Sequence, residues 1–108
     1  MTVKQLALHQ GFTAVSLPDP EREIKNVYIG DLLSWVMSKA QQDDAWITIM
    51  SNINVVAVAS LTDTACVILA ENVILDENTI KAANEKDINI LSTPESAYDI
   101  AKYLSKVL

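Results

Sequence analysis

Apolar residues recur along this chain at two periods, and the switching between them lays out the fold. Short runs rich in Val, Ile and Ala, each bounded by turn-forming or polar residues, occur at FTAVSL (12–17), NVYI (26–29), AWITIM (45–50), ACVILA (65–70) and INIL (88–91). Each reads as a strand, because β-branched and aromatic side chains suit a pleated surface. The intervening segments follow helical spacing. TVKQLALHQ (2–10) places Val3, Leu6 and Leu8 near one face and stops at Gly11. Asp31 opens a helix running to about Gln41, with Leu32, Leu33, Val36, Met37 and Ala40 directed inward. DENTIKAANEKD (76–87) has Asp76 at its cap and Ile80 and Ala83 on its inner side. STPESAYDIAKYLSKVL (92–108) closes the chain with Thr93 as cap and Pro94 at the first helical position. Its inner stripe is Ala97, Ile100, Ala101 and Leu104. PDPERE (18–23) is a loop, since two prolines flank Asp19.

One segment resists periodicity. INVVAVASL (53–61) is apolar apart from Asn54 and Ser60, so a buried strand, paired as a hairpin with the next run, and a buried helix both fit it. The small side chains of Ala57, Ala59 and Ser60 would let a helix pack closely on a sheet, which favours the helix. Strand and helix then alternate along the chain. That predicts a three-layer α/β/α domain over residues 1–108, with a mostly parallel sheet of about five strands and one antiparallel edge near the N-terminus.

Composition narrows the function. Half of the 108 residues are hydrophobic, more than a domain of this size readily hides, so an apolar contact surface is expected. A formal charge of −6, with Lys81, Lys86, Lys102 and Lys106 scattered among acids, argues against nucleic-acid binding. Cys66 is the single cysteine and lies in an apolar run, which implies a buried thiol and no disulfide within the chain. MTVKQLALHQG has neither a leader nor an anchor pattern, and no apolar run approaches a membrane span; a cytoplasmic location and no membrane contact are expected.

Catalytic patterns do not emerge. With Gly11 and Gly30 as the only glycines, neither G-x-x-x-x-G-K-[ST] nor G-x-G-x-x-G can be assembled. His9 is the only histidine and falls beside a helix end, where a solvated or capping imidazole is expected. No cysteine–histidine spacing suits a metal, and no cofactor is implied. The strand-to-helix corners are the remaining candidates, because in a parallel α/β sheet they converge on one edge where ligands bind. They carry Gly30 and Asp31, Ser51 and Asn52, Glu71 and Asn72, and Ser92 and Thr93. Asp31, Asn52 and Thr93 equally suit helix caps, so each has a purely structural use. No Lys or Arg accompanies them, which points to a cation, an amide-rich ligand or a basic partner rather than an anion. Trp46 and Trp35 are expected chiefly in the core, with Trp35 also placed to serve an interface from a helix flank. Tyr98 and Tyr103 on the last helix, with Val107 and Leu108, form a second candidate contact face.

The run from VYIGDLLSWVMSKA through AWITIMSNINVVAVASLTDTACVILAENVILDENTIKAANEKDINILST resembles a stand-alone DRTGG domain from about Lys25 to the C-terminus. Such domains are similar to the N-terminal domain of HPr kinase/phosphorylase, and occur beside CBS domains and in some phosphotransacetylases as regulatory modules. The resemblance implies a helix at INVVAVASL. It also aligns Gly30-Asp31 with the start of the family's Asp-Arg, with Leu32 in place of the Arg, and Ala70-Glu71-Asn72 with its Thr-Gly-Gly. Losing a cation and two glycines, and gaining a carboxylate, is damaging to a phosphate site. The resulting expectation is a non-enzymatic regulatory and protein-interaction module that self-associates as a homodimer. A nucleotide- or cation-sensing domain at the C-terminal sheet edge is the alternative. A serine kinase-like phosphotransferase comes last, since no phosphate-binding loop exists.

Overall fold

In the computed structural model, which describes residues 1–108, the chain runs α1 (Val3–Ala7), β1 (Thr13–Ser16), β2 (Asn26–Ile29), α2 (Leu33–Lys39), β3 (Asp44–Thr48), α3 (Asn54–Thr62), β4 (Cys66–Leu69), α4 (Glu77–Glu85), β5 (Ile90–Ser92) and α5 (Ala97–Val107). The five strands form one sheet in the order β1-β5-β4-β3-β2. β2 to β5 are parallel, and β1 alone is antiparallel, pairing with β5 through a register shift between Ala14 and Ser16. The mostly parallel sheet with one antiparallel edge is therefore as the alternation of periods predicts.

The layering follows from the order in which the strands are laid down. β2, β3, β4 and β5 step across the sheet in one direction, so crossovers of one hand put α2, α3 and α4 on the same face. The opposite face would be bare, and the two terminal helices cover it. Alternate side chains of each central strand divide accordingly. Trp46, Val67, Leu69 and Ile90 join Val36, Val55, Val56 and Ala83 under α2–α4, while Ala45, Ile47, Cys66, Ile68 and Leu91 join Val3, Leu6, Ile100 and Leu104 under α1 and α5. β3 and β4 are buried along their whole length, which explains why they read as continuous apolar runs instead of alternating ones.

INVVAVASL is a helix. Val55, Val56, Val58 and Ala59 face the sheet while Ala57, Ser60 and Leu61 are exposed, a helical period that the β-branched composition masks. Packing overrides the strand propensity of valine here. Asp63 ends the helix in the left-handed conformation at φ 56°.

Four local expectations change. α1 ends at Ala7, so Leu8 falls outside it and is 78% exposed. α2 begins at Leu33 rather than Asp31, with Leu32 as an extended N-cap. Its inward face is then Leu33, Val36 and Ala40, spaced i, i+3, i+7, and Leu32 and Met37 point outward. α5 begins at Ala97, capped by the Ser96 hydroxyl, which accepts from the Asp99 N–H; Thr93 and Pro94 lie in the preceding turn. Asp76 caps α4 as expected, its carboxylate accepting from the Thr79 N–H at 2.7 Å; that bond holds its pKa below the usual carboxylate range.

Candidate functional site

All four strand-to-helix corners lie along one edge of the sheet, because β2 to β5 are parallel. They form two separately held halves. At the β2 end, Gly30 sits close against its neighbours. A Cβ there would stand 2.9 Å from the Tyr28 ring, and the Gly30 carbonyl accepts from the buried Trp46 indole N–H at 2.9 Å. Asp31 does not cap α2. Its Oδ1 accepts from the Thr48 hydroxyl at 2.9 Å and the Ile49 N–H at 3.0 Å, binding this corner to the end of β3. Thr48, buried, relays the contact by accepting from the Met50 N–H at 3.2 Å. Gly-Asp is thus a clamp between two adjacent corners. The parallel pairing of Ile29 with Ile47 is what brings Asp31 level with Thr48, and spacing along the chain alone did not reveal that partner.

Ser51 and Asn52 are exposed at the next corner. The Asn52 side chain accepts from the Asn54 N–H at 2.9 Å, one residue before the N-cap, so it does act at the start of α3.

The β4 and β5 ends are held by backbone. Glu71 and Asn72 both have positive φ, 58° and 60°, and the Val73 N–H donates to the Ala70 carbonyl at 3.3 Å, the signature of a type I′ turn. That turn ordinarily takes Gly or Asn; a Glu in the left-handed region costs roughly 1–2 kcal/mol. The Glu71 N–H donates to the Glu95 carbonyl at 2.9 Å and the Asn72 N–H to the Thr93 carbonyl at 3.0 Å. Three successive amides are therefore engaged by carbonyls of the chain itself. Thr93 is buried, its hydroxyl accepting from the Glu95 N–H at 3.3 Å, and Ser92 is half-buried within β5.

Neither of the molecule's two cavities is lined by any of these eight residues. The edge is instead crested with apolar side chains. Ile29, Leu32, Trp35, Ile49 and Ile53 are 50%, 62%, 60%, 46% and 53% exposed. Trp35, expected chiefly in the core, stands outside with Lys39 Nζ 5.9 Å from its ring centre, whereas Trp46 is fully buried. Tyr98 is exposed beneath Lys102, and Tyr103 is half-buried and stacked on the exposed His9 ring.

The strongest charge cluster is at the other edge of the sheet. Arg22 pairs with Asp43 and Asp63, both at 2.9 Å. Burial alone would lower the Arg22 pKa, but hydrogen bonds and charge from Asp63 and Asp43 raise it, so it stays a fixed cation. Asp43 is the converse: burial works to raise its pKa, and the bonds and charges of Arg22 and Lys25 hold it below the ordinary range. All these groups are matched, which makes the cluster a staple between chain segments. Burial pushes the Cys66 thiol up to about 12, leaving no thiolate for chemistry. No group of three or more His, Cys, Asp or Glu side chains is arranged to hold a metal, and no helix is long and apolar enough to cross a membrane.

The DRTGG domain family model matches residues 13–107. The chain belongs to the DRTGG family. The match begins at β1, ahead of the Lys25 start of the resemblance, so the antiparallel edge strand belongs to the family unit. No curated protein matches this DRTGG chain. Among solved structures it is similar to the CBS and DRTGG domains of the regulatory region of Clostridium perfringens pyrophosphatase, complexed with the activator diadenosine tetraphosphate. The TM-score is 0.66 at 12% identity, over 84% of this chain and 40% of that one. At that identity the likeness establishes the fold, and this chain spans less than half of the regulatory region it matches. In this DRTGG domain the turn after β4 has a glycine-type backbone while carrying Glu and Asn.

Proposed function

We propose that residues 1–108 act as one non-catalytic regulatory domain, working in the cytoplasm by contact between surfaces, and that two copies associate through the crest at the C-terminal sheet edge. The observation that carries this reading is the exposure of Ile29, Leu32, Trp35, Ile49 and Ile53 on neighbouring corners. Ile29 ends β2 and Ile49 directly follows the adjacent parallel β3, the Asp31 clamp draws Leu32 toward Ile49, and Leu32 and Trp35 share a helix face. Together they expose on the order of 500 Å² of side chain, at the top of the range for a monomer's largest apolar patch. A polar rim around them brings the face near the roughly 800 Å² per partner of a standard interface. Asp31 is the only charged residue at its centre, and it is already engaged, a depletion typical of interface cores. A self-complementary face on a single chain meets its twin most simply by a two-fold axis.

Sedimentation velocity tests this. The expected result is a dimer at micromolar concentration that Leu32→Asp converts to a folded monomer. A wild-type monomer up to about 100 μM would refute it.

A second reading, a small-ligand sensor for a nucleotide or cation at the same edge, is favoured by one observation: the structurally similar pyrophosphatase region was solved with a nucleotide activator. Against a phosphate-bearing ligand stand the engaged amides of Glu71, Asn72 and Val73 and the absence of any Lys or Arg among the corner residues.

A further inference from the structure

A cavity of about 320 Å³ lies between the α1–β1 turn and the first half of α5, away from the apolar crest. One wall is aromatic. His9 and Tyr103 stack with ring centres 3.9 Å apart and planes 13° apart, and Phe12 tilts against them at 5.9 and 6.4 Å. The local sequence builds this wall. Gly11 takes φ +93°, a conformation other residues rarely adopt, and the Phe12 N–H donates to the His9 carbonyl at 3.1 Å; the turn so closed sets His9 and Phe12 side by side. α5 contributes Tyr103 and, one turn earlier, Asp99. Ile100 forms a buried apolar floor, and Glu95 completes the rim.

The electrostatics are one-sided. Glu95 and Asp99 both line the cavity, and neither is in an ion pair; every ion pair in the molecule involves Glu23, Asp43 or Asp63. No Lys or Arg reaches the cavity wall. Aromatic faces carry partial negative charge, so rings and carboxylates here act with the same sign.

We propose that this cavity binds a compact organic cation, a quaternary or alkylated ammonium group, seated against Phe12 and Tyr103 with Glu95 and Asp99 supplying the counter-charge. The class follows from the lining. An anion would meet two unpaired carboxylates and no Lys or Arg. A divalent metal wants six or more oxygen ligands, and the wall offers rings and an isoleucine in their place. An alkylated ammonium group is weakly hydrated, gains from the ring faces and fits a space at the small end of ligand cavities. The net charge of −6 favours its approach. This site is independent of the crest and stands whether or not the chain self-associates.

Amide-resolved NMR titration of the intact chain with choline tests the proposal, with 3,3-dimethylbutan-1-ol as the uncharged isostere and magnesium chloride as a separate arm. The expected result is saturable shifts centred on Phe12, Asp99 and Tyr103 at millimolar choline, with the isostere roughly tenfold weaker or worse. The Glu95→Gln, Asp99→Asn double variant, isosteric and at exposed positions, is expected to weaken choline about tenfold with the spectrum otherwise unchanged. Equal binding of the isostere would reduce the site to an apolar crevice and overturn the proposal. So would choline shifts that fail to saturate, or the same shifts produced by magnesium alone.

Discussion

The Gly30-Asp31 corner and the Glu71-Asn72 corner lie on the same edge of the sheet, and they are held in opposite ways. At the first, side chains do the holding: the Asp31 carboxylate grips Thr48 and Ile49, and Trp46 anchors the Gly30 carbonyl. At the second, the backbone does it, with a left-handed pair donating to the Thr93 and Glu95 carbonyls. One corner is relaxed and specified by chemistry. The other is strained and specified by geometry that its own residue types resist. The second holds its left-handed pair without glycine because two amide bonds to the segment after β5 over-determine it. The corner therefore spends its amides internally.

The two modes of holding predict mutational effects of opposite sign. Asp31→Ala leaves the buried Thr48 hydroxyl and the Ile49 amide without their charged acceptor, and a loss of about 2 kcal/mol is expected in chemical denaturation. A loss below about 0.5 kcal/mol would mean that water replaces the clamp and that the corner is loosely held. Glu71→Gly is expected to raise stability by about 0.5–1 kcal/mol, since relief of left-handed strain outweighs the added freedom of the unfolded chain. Asn72→Gly should gain only a few tenths, because Asn tolerates that region. Destabilisation by Glu71→Gly would show that the Glu71 side chain, and not the backbone alone, holds the turn.

Legibility of the fold from the sequence divides along the same line. Strand positions, the antiparallel N-terminal edge and the Asp76 cap follow from local pattern, which the structure keeps. The misplaced residues are those whose partner is distant in sequence. Asp31 has the composition of a cap, but parallel register offers it Thr48, 17 residues on, and the helix start moves two residues down the chain in consequence. Thr93 fails as a cap because its backbone is drawn onto Leu69 and Asn72, leaving Ser96 to begin α5. Leu32 and Trp35 carry a core-like composition and an exposed position, since a seven-residue helix over the edge strand has room for one inward face only. The corners were legible as a set sharing one edge. Their division into two closed halves was not, for it rests on backbone conformation at Glu71 and Asn72 that no residue type there announces.

We propose that this edge is closed to phosphate and works as a contact surface. Titrating the labelled protein with a nucleoside polyphosphate such as diadenosine tetraphosphate, while following the backbone amides of Glu71, Asn72 and Val73, tests it most directly. These three signals are expected to stay in place at concentrations well into the millimolar range. A saturable shift of all three, with the turn opening to release the Thr93 and Glu95 carbonyls, would contradict it.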